Sequence, residues 1–374
     1  MDFTFNDEQN MIRDLARGIL TKEVDDDRVK AAESSASWHD AGLWSTLAEA
    51  GLLGIAVDEA HGGMGLGLLE LCALLEEIGR VVAPVHALPA LVLGGLPIAD
   101  LGDTEQKKRW LTALASGEAI LTGAFGASTD AAHLPITANA GGPGWFLSGT
   151  APLVAAADVA AKVLVPARAG NGIGIFLVDS HGAGVTLVRR GTSRGEPLFD
   201  VVLDRASVEE ADLLGNRVLP DTQPLERIRA HATIATCALQ VGVSERALEI
   251  TSTYVRERMQ FGVPIGSFQA VQHRLADAYI DVQSMRWVMW RAAWKLSRNE
   301  DATREVAVAK FWASEGGARV AASAQHLHGG IGVDIDYPIH RYFLWSKALE
   351  LSFGNAAQQL FTLGRHMAQN VPTP

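Results

Sequence analysis

The stretch RERMQFGVPIGSFQ, residues 256–269, says most about the fold and function of the chain. It is predicted to end one helix, to turn through glycine and proline, and to begin a second helix. Arg258, Gln260 and Phe261 would place a guanidinium, an amide and an aromatic ring beside this turn. Such a group can pair with a pyrophosphate through charge-assisted hydrogen bonds and cover the face of a ring. A helix-terminal arginine beside a solvated loop is the alternative interpretation.

The residues that follow, 269–296, show the clearest helical periodicity in the sequence. Apolar side chains recur in steps of three and four, which predicts the seam of a helical bundle. Trp287, Trp290 and Trp294 form a second apolar face. A helix with two such faces is buried on two sides, either in a larger bundle of the same chain or against another subunit. The seam consists of Val271, Leu275, Ala278, Val282, Met285, Met289, Ala292 and Leu296.

The first third of the chain has helical patterning as well. Asn6 is predicted to cap a helix whose first turn carries Asp7 and Glu8, because acids suit the positive end of the helix dipole. The spacing of apolar residues predicts further helices over residues 37–50, 68–82 and 103–116.

The middle of the chain has a different period. Short β-like runs are separated by Gly, Pro, Asn and Asp, and no stretch between them is patterned as a crossover helix. This arrangement predicts an antiparallel barrel or sandwich and argues against a parallel dinucleotide-binding sheet. The expected strands cover residues 121–125, 145–148, 162–165, 173–178, 185–188 and 199–203.

The composition of the 374-residue chain is that of a packed globular protein, with 48% hydrophobic and 20% charged residues. Its formal charge of -11 argues against general binding to nucleic acid or to an anionic membrane. Cys72 and Cys237 both lie in apolar helical patterns and are expected to be buried, inert thiols. We find no signal peptide and no apolar run of membrane-spanning length, so a cytoplasmic protein without a membrane span is expected.

Several motifs together resemble those of acyl-CoA dehydrogenases. Residues 258–269 are similar to the family pattern R-x-x-F-G-x-x-I-G-x-F-Q, and residues 326–333, HLHGGIGV, resemble its Q-x-x-G-G-x-G turn. In the first third, GGMGLG at 62–67 and EEIGR at 76–80 look like the family's G-G-x-G and E-E-x-G-R. The resemblance covers nearly the whole length of the chain.

The resemblance implies an α+β multidomain fold of the acyl-CoA dehydrogenase type. Its parts would be an N-terminal helical domain over residues 1–117, a central antiparallel β-barrel over 118–220, and a C-terminal four-helix bundle over 221–374. It also implies FAD as the cofactor, an acyl-CoA as the substrate, and an electron-transfer flavoprotein as the electron acceptor.

Matching positions in the family contact the flavin nucleotide, in part across a subunit interface. His326 stands where a glutamine is usual, although it can still donate a hydrogen bond; a purely structural histidine is the alternative. The resemblance therefore assigns cofactor binding to Arg258, Gln260, Phe261, Gln269, His326, Gly329, Gly330 and Asn355.

The catalytic base of the family is missing from this sequence. In the family a glutamate removes the α-proton of the thioester while FAD accepts hydride from the β-carbon. Phe353 occupies the usual position of that glutamate, and Ala232 the position that some relatives use instead. Glu226 and Glu350 lie close by but off these positions, and each is interpreted as a structural or surface acid. No catalytic residue is therefore assigned to this chain.

The middle segment also departs from the family. GAFGASTD at 123–130 replaces T-E-x-x-x-G-S-D, and APLVA at 151–155 replaces K-x-W-I-[TS]. The hydroxyl and the aromatic wall that normally meet the isoalloxazine ring are lost, whereas the contacts across the interface are kept.

This asymmetry resembles the non-catalytic subunits of heteromeric acyl-CoA dehydrogenases from bacterial steroid side-chain degradation. Residues 274–281 and 328–343 look much like the corresponding runs of those subunits. The leading hypothesis is therefore a subunit of an α2β2 enzyme whose homologous partner supplies the base for a bulky acyl-CoA. The alternatives are a self-sufficient homo-oligomer with a relocated base, such as Glu350, and a structural or regulatory paralogue without flavin.

Overall fold

The computed structural model describes residues 4–126, 133–142 and 144–369. Contacts within the chain form two compact units. The helical unit comprises residues 1–29, 71–83 and 233–374, and the sheet unit comprises residues 30–70 and 84–232. The three domain boundaries expected from the sequence stay a prediction.

The described chain is mainly helical, and its order of helices, strands and helices confirms the expected fold class. Two stretches, Leu88–Gly95 and Lys107–Leu111, are wound as π-helix. The α-helices are α1 (Asp7–Glu23), α2 (Asp26–Glu33), α3 (Ala41–Glu49), α4 (Leu68–Arg80), α5 (Leu96–Leu101), α6 (Thr104–Gln106), α7 (Thr112–Ala115), α8 (Gln223–Glu257), α9 (Gln269–Ser297), α10 (Thr303–His328), α11 (Ile339–Leu351) and α12 (Ala356–Gln369).

The predicted cap of α1 is confirmed, whereas the start of α3 differs from the prediction. The Asn6 side chain accepts a hydrogen bond from the Gln9 backbone, and the Gln9 side chain accepts one from the Asn6 backbone. Helix α3 begins at Ala41 and not at residue 37, because the Asp40 carboxylate caps it and Trp38 has a left-handed φ of 55°. A local capping interaction therefore decides where each helix begins.

All six expected strands are present in the sheet unit, and one further strand is found. The additional strand, Ile136–Gly141, alternates apolar and polar residues, but two of its apolar positions are alanine, and it carries Asn139 and ends in glycine, residue types that are depleted in strands. It forms a hairpin with the strand that follows. The strands are β1 (Leu121–Gly123), β2 (Ile136–Gly141), β3 (Gly144–Ala155), β4 (Lys162–Ala169), β5 (Gly172–Val178), β6 (Val185–Arg190) and β7 (Leu198–Glu209).

The sheet differs in detail from the expected antiparallel barrel. Its order is β1-β4-β2-β3-β7-β6, with β5 paired to β4. Strand β4 runs parallel to β1 and to β2, while the other neighbours are antiparallel. Among the described strands no pair joins β6 to β5 or β1, so the sheet is mixed and open. The β2–β3 hairpin lies between β1 and β4 in the chain, and β3 lies between β2 and β4, so each parallel pair is separated by at least one antiparallel strand.

The core of the sheet unit is formed by alternating side chains from facing strands. Leu147, Val163, Phe176 and Val201, from four different strands, are completely buried. Burying one such side chain stabilises a fold by about 1.5–3 kcal/mol. This core gives the sheet unit its own stability.

In the helical unit, α4 and α8 touch through two glycines. A methyl group on Gly79 would lie 2.2 Å from the Leu239 carbonyl oxygen, and one on Gly242 would lie 1.9 Å from the Glu76 carbonyl oxygen. No side chain can be accommodated at such distances, so glycine is required at both positions. The glycine of the EEIGR motif is thereby explained by helix packing.

Charged side chains surround this contact. Glu77, only 3% exposed, accepts two hydrogen bonds from Arg17, at 2.7 and 3.0 Å. Arg286 on α9 lies 2.9 Å from Glu245 and 3.3 Å from one oxygen of Glu76. The other Glu76 oxygen has no hydrogen-bond partner among the described residues, and burial raises the pKa of this carboxyl to about 7.

The seam predicted on α9 is confirmed over its second half, where Ala278, Val282, Met285, Met289 and Ala292 are buried. The tryptophan face is not uniform: Trp290 packs edge-on against Phe5, with ring centroids 4.6 Å apart, while Trp287 and Trp294 remain 52% and 42% exposed. That face as a subunit contact stays a prediction.

Candidate functional site

A short hairpin presents the residues of the 256–269 stretch. Strands β8 (Met259–Gln260) and β9 (Val263–Pro264) are antiparallel, and Phe261 and Gly262 form the loop between them. Both loop residues have positive φ, 54° and 81°, as a type I′ turn requires. An aromatic residue is rare in this conformation, which costs about 1–3 kcal/mol. The turn holds the Phe261 ring 93% exposed, so the strain serves to project the ring outward.

Arg258 and Gln269 stand at the two ends of this hairpin. The backbone oxygen of Arg258 accepts a hydrogen bond from Ile265 at 2.8 Å, which closes the hairpin onto α8. Among the described residues, none accepts a hydrogen bond from the exposed Arg258 guanidinium. Gln269 is the first residue of α9, and Phe268 before it makes no side-chain cap. The first amide groups of α9 and the guanidinium together favour an anion here.

The glycine turn after α10 is the second exposed element. Gly329 has φ 62° and ψ -136°, a conformation essentially restricted to glycine. Side chains at Gly329 and Gly330 would contact nothing within 4 Å, so the backbone lies bare toward the surface. His326 lies exposed on the last turn of α10. An exposed glycine backbone lets a ligand or another chain approach its amide groups closely.

The histidine built into this turn is His328, which the sequence reasoning did not single out. It is 3% exposed, its ring stacks on Tyr254 at 4.4 Å, and its nitrogens face the Ala324 oxygen at 2.8 Å and the Tyr337 hydroxyl at 3.3 Å. Burial lowers the pKa of His328, so the ring is neutral near pH 7. The HLHGG motif contains both histidines, and only packing distinguishes the buried one from the exposed one.

Asn355 has a structural role in addition to the expected one. Its side chain accepts a hydrogen bond from the Gln358 backbone at 3.1 Å, and the Gln358 side chain accepts one from the Asn355 backbone at 2.9 Å. This reciprocal pair is a capping box for α12. Before it, Phe353 and Gly354 turn the chain with φ of 53° and 97°. Contact between Asn355 and flavin stays a prediction.

Neither base position carries an acid. Phe353 lies at the turn before α12, and Ala232 is completely buried. Glu350 pairs with Lys347 at 2.7 Å, and Glu226 accepts a hydrogen bond from the Thr222 hydroxyl at 2.9 Å. Both acids thus have local partners, as expected of structural or surface residues.

Comparison with known proteins identifies the family. The family model described as acyl-CoA dehydrogenase, N-terminal domain, matches residues 6–118, and that described as acyl-CoA dehydrogenase, C-terminal domain, matches residues 225–368. The chain belongs to the acyl-CoA dehydrogenase family. Members of this family are FAD-dependent oxidoreductases that act on acyl-CoA.

Individual relatives align over almost the full length of this family member. Acyl-CoA dehydrogenase FadE27 from Mycobacterium tuberculosis is 36% identical, with 99% of each chain covered. A chain from a variant of the Tcur3481-Tcur3483 steroid ACAD is 41% identical with a TM-score of 0.89, covering 98% of this chain and 99% of that one. A chain of the ChsE4-ChsE5 complex from Mycobacterium tuberculosis is 36% identical with a TM-score of 0.93, and both chains are covered completely.

In the sheet unit of this acyl-CoA dehydrogenase, a buried side chain fills the first departure from the family pattern. A methyl group on Gly123 would lie 2.4 Å from the Phe125 ring, which is 3% exposed and fills the space beside the glycine. Arg229 donates hydrogen bonds to the carbonyl oxygens of Phe125 and Gly126, at 2.8 and 3.1 Å. Residues 127–130 of the departing run lie outside the described residues.

The second departure, at residues 151–155, lies on β3. Leu153 has φ 55° and is 58% exposed, and the pairing of β3 with β7 shifts register between Ala151 and Val154. The described part of this run offers no aromatic ring. The hairpin and the glycine turn of the helical unit expose a guanidinium, an amide, a ring and bare backbone, groups that suit an anionic nucleotide; their contact with FAD stays a prediction.

None of the described helices is long and apolar enough to cross a membrane, and in the same residues no group of three metal-binding side chains occurs.

Proposed function

We propose that this chain is the subunit without a catalytic base in a heteromeric, FAD-dependent acyl-CoA dehydrogenase. Two observations together carry the proposal. The hairpin at Arg258–Phe261 and the glycine turn at Gly329–Gly330 are exposed, whereas Phe353 and Ala232 occupy the two positions where the family places its base. A homologous subunit supplies the glutamate and the pocket for the flavin ring, and this chain binds the nucleotide side of the same FAD.

The exposed apolar residues of the helical unit support assembly with a partner. Soluble monomers rarely expose contiguous apolar patches, and such patches commonly mark protein interfaces. Large apolar side chains are more than half exposed along the hairpin, along α9, after the glycine turn and on α12. They are Met259, Phe261, Tyr279, Ile280, Trp287, Val333, Ile335, Leu360, Phe361 and Met367.

We further propose a bulky, steroid-derived acyl-CoA as substrate and an electron-transfer flavoprotein as electron acceptor. Support for the substrate comes from the Tcur3481-Tcur3483 steroid ACAD, one chain of which is 41% identical to this chain. Two different subunits that share each FAD halve the number of active sites, which leaves more volume for each acyl group.

Purification alone and together with a homologous catalytic subunit tests the proposal. We expect the chain alone to retain no stoichiometric FAD and to oxidise no acyl-CoA, whereas the complex shows flavin absorbance that a steroid acyl-CoA bleaches. Stoichiometric FAD and turnover by the chain alone would contradict the proposal and favour a self-sufficient enzyme. Absence of flavin from every complex would favour a paralogue without enzymatic function.

Glu350→Gln in the complex tests for a relocated base. Because the Glu350 carboxylate is engaged by Lys347, we expect turnover to remain unchanged. A loss of turnover with unchanged flavin content would instead identify Glu350 as the base.

A further inference from the structure

The side chain of Lys310 is buried inside the helical unit, and its hydrogen bonds go to a hydroxyl and two backbone carbonyls. Lys310, on α10, is only 1% exposed. Lysine is almost never fully buried unless its charge is compensated, because removing an ammonium from water is costly. The hydrogen-bond acceptors of Lys310 are neutral oxygens and not a carboxylate.

All three protons of the Lys310 ammonium have acceptors. The nitrogen lies 2.9 Å from the Ser314 hydroxyl, 2.8 Å from the Leu349 carbonyl oxygen and 3.0 Å from the Glu350 carbonyl oxygen. Both carbonyls belong to the last turn of α11, where carbonyl groups lack partners within the helix. The negative end of the helix dipole adds a favourable interaction with the ammonium.

Lys310 thereby completes the C-terminus of α11. The preceding carbonyl, that of Ala348, accepts hydrogen bonds from the backbone and hydroxyl of Ser352. Immediately after this point, Phe353 and Gly354 take up their left-handed conformations. On the far side of the turn, the capping box of Asn355 begins α12. The turn 352–355 is thus held at one end by Lys310 and at the other by its own helix cap.

We propose that Lys310 is a positioning residue that fixes the turn 352–355 through the end of α11, and so holds Asn355 in place for the flavin nucleotide. The proposal rests on the proposed function, since that function gives the turn its ligand. Lys310 itself contacts no substrate or cofactor; it acts through the two carbonyls.

Burial makes the charge of Lys310 costly to keep. It lowers the pKa of Lys310 to about 8, and the titratable groups acting on the ammonium are the Cys237 thiol on α8 and Glu350 on α11. Lys310→Met keeps most of the side-chain volume in the core but removes the donor to Ser314 and to the Leu349 and Glu350 carbonyls, which lose that partner. The substitution therefore tests the hold on α11.

Lys310→Met in the complex with the catalytic subunit is the test, with Lys347→Met as the matched control on the surface of α11. We expect amide hydrogen exchange at residues 351–359 to accelerate about tenfold in Lys310→Met, with exchange in α8 and α9 close to that of the wild type. We also expect FAD to dissociate several-fold faster from the Lys310→Met complex. The Lys347→Met complex should match the wild type in both amide exchange and FAD dissociation.

Unchanged exchange at residues 351–359 overturns the proposal. A general loss of protection across α8 and α9 also overturns it, because it would show that Lys310 only stabilises the fold. A wild-type complex without flavin would refute the proposed function, while the exchange data would still decide whether Lys310 holds the turn.

Discussion

The imidazole ring of His328 lies on the phenol ring of Tyr254, with centroids 4.4 Å apart and planes inclined by 24°. The Tyr254 carbonyl in turn accepts a hydrogen bond from the Arg258 backbone at 2.8 Å. One ring stack therefore joins the helix end that carries the hairpin to the glycine turn at Gly329. The two exposed elements that we assign to the flavin nucleotide are held in one arrangement by a buried, neutral histidine.

The backbone of the glycine turn predicts unequal effects at its two glycines. Gly329→Ala forces a side chain into a conformation that only glycine adopts readily, so we expect a loss of about 1–3 kcal/mol in unfolding free energy and weaker retention of FAD by the complex. Gly330→Ala, with open space and no positive φ, should leave the unfolding free energy nearly unchanged. Urea unfolding of both variants checks this, and equal losses would argue against backbone strain at Gly329.

The Phe261 turn predicts opposite effects on stability and function. Phe261→Asn creates the Asn-Gly pair favoured in type I′ turns, so the isolated chain should gain about 0.5–1 kcal/mol in urea unfolding. The complex should bind FAD more weakly, because the exposed ring is lost. Phe361→Asn makes the same replacement at an exposed ring on α12, where no positive φ is relieved and helix propensity hardly changes, and should give no such gain. A Phe261→Asn complex with unchanged flavin affinity would exclude the ring from flavin binding.

The raised pKa of Glu76 predicts a pH-dependent stability. Because the folded pKa, about 7, exceeds the ordinary value of 4.5, the folded chain binds more protons between these values. The stabilising contribution of the protonated carboxyl is complete below about pH 4.5 and is lost as the pH rises through 7.

Glu76→Gln should abolish this dependence. We expect the variant to match the wild type at about pH 5 and to exceed its unfolding free energy by about 1–3 kcal/mol at about pH 8. Glu77→Gln, which removes one member of the bidentate pair with Arg17, should be destabilising at pH 8. If Glu76→Gln is also destabilising at pH 8, the interaction of Glu76 with Arg286 outweighs the cost of burial.

The close contact of α4 and α8 predicts a large effect of a single methyl group. Gly242→Ala places a carbon 1.9 Å from the Glu76 carbonyl oxygen, so the helices must separate, at a cost of about 3 kcal/mol or more. Gly18→Ala, on α1 with nothing within 4 Å, should stabilise the chain by about 0.5–1 kcal/mol through its higher helix propensity. Thermal unfolding of the two variants distinguishes packing from propensity, since propensity alone would stabilise both.

Local patterns predicted most of the secondary structure. The cap at Asn6, the seam of α9 and six of the strands follow from side chains near one another in the sequence. Strand β2 and the parallel pairs of β4 did not follow, because β2 is built largely of alanine, asparagine and glycine, which are poor strand formers, and because strand partners are chosen by long-range packing. The site residues were proposed from motifs, and the structure shows which of them are exposed; their contacts with flavin stay predictions.

The sequence by itself determined the family, the order of helices and strands, and the absence of an acid at both base positions, because each of these depends on residue identity at known spacing. Only the tertiary structure decided that His328 is buried and His326 exposed, that Asn355 caps α12, and that Lys310 meets the end of α11. These relationships depend on where helices distant in the chain come together, which is decided by burial of their apolar faces and not by any local pattern.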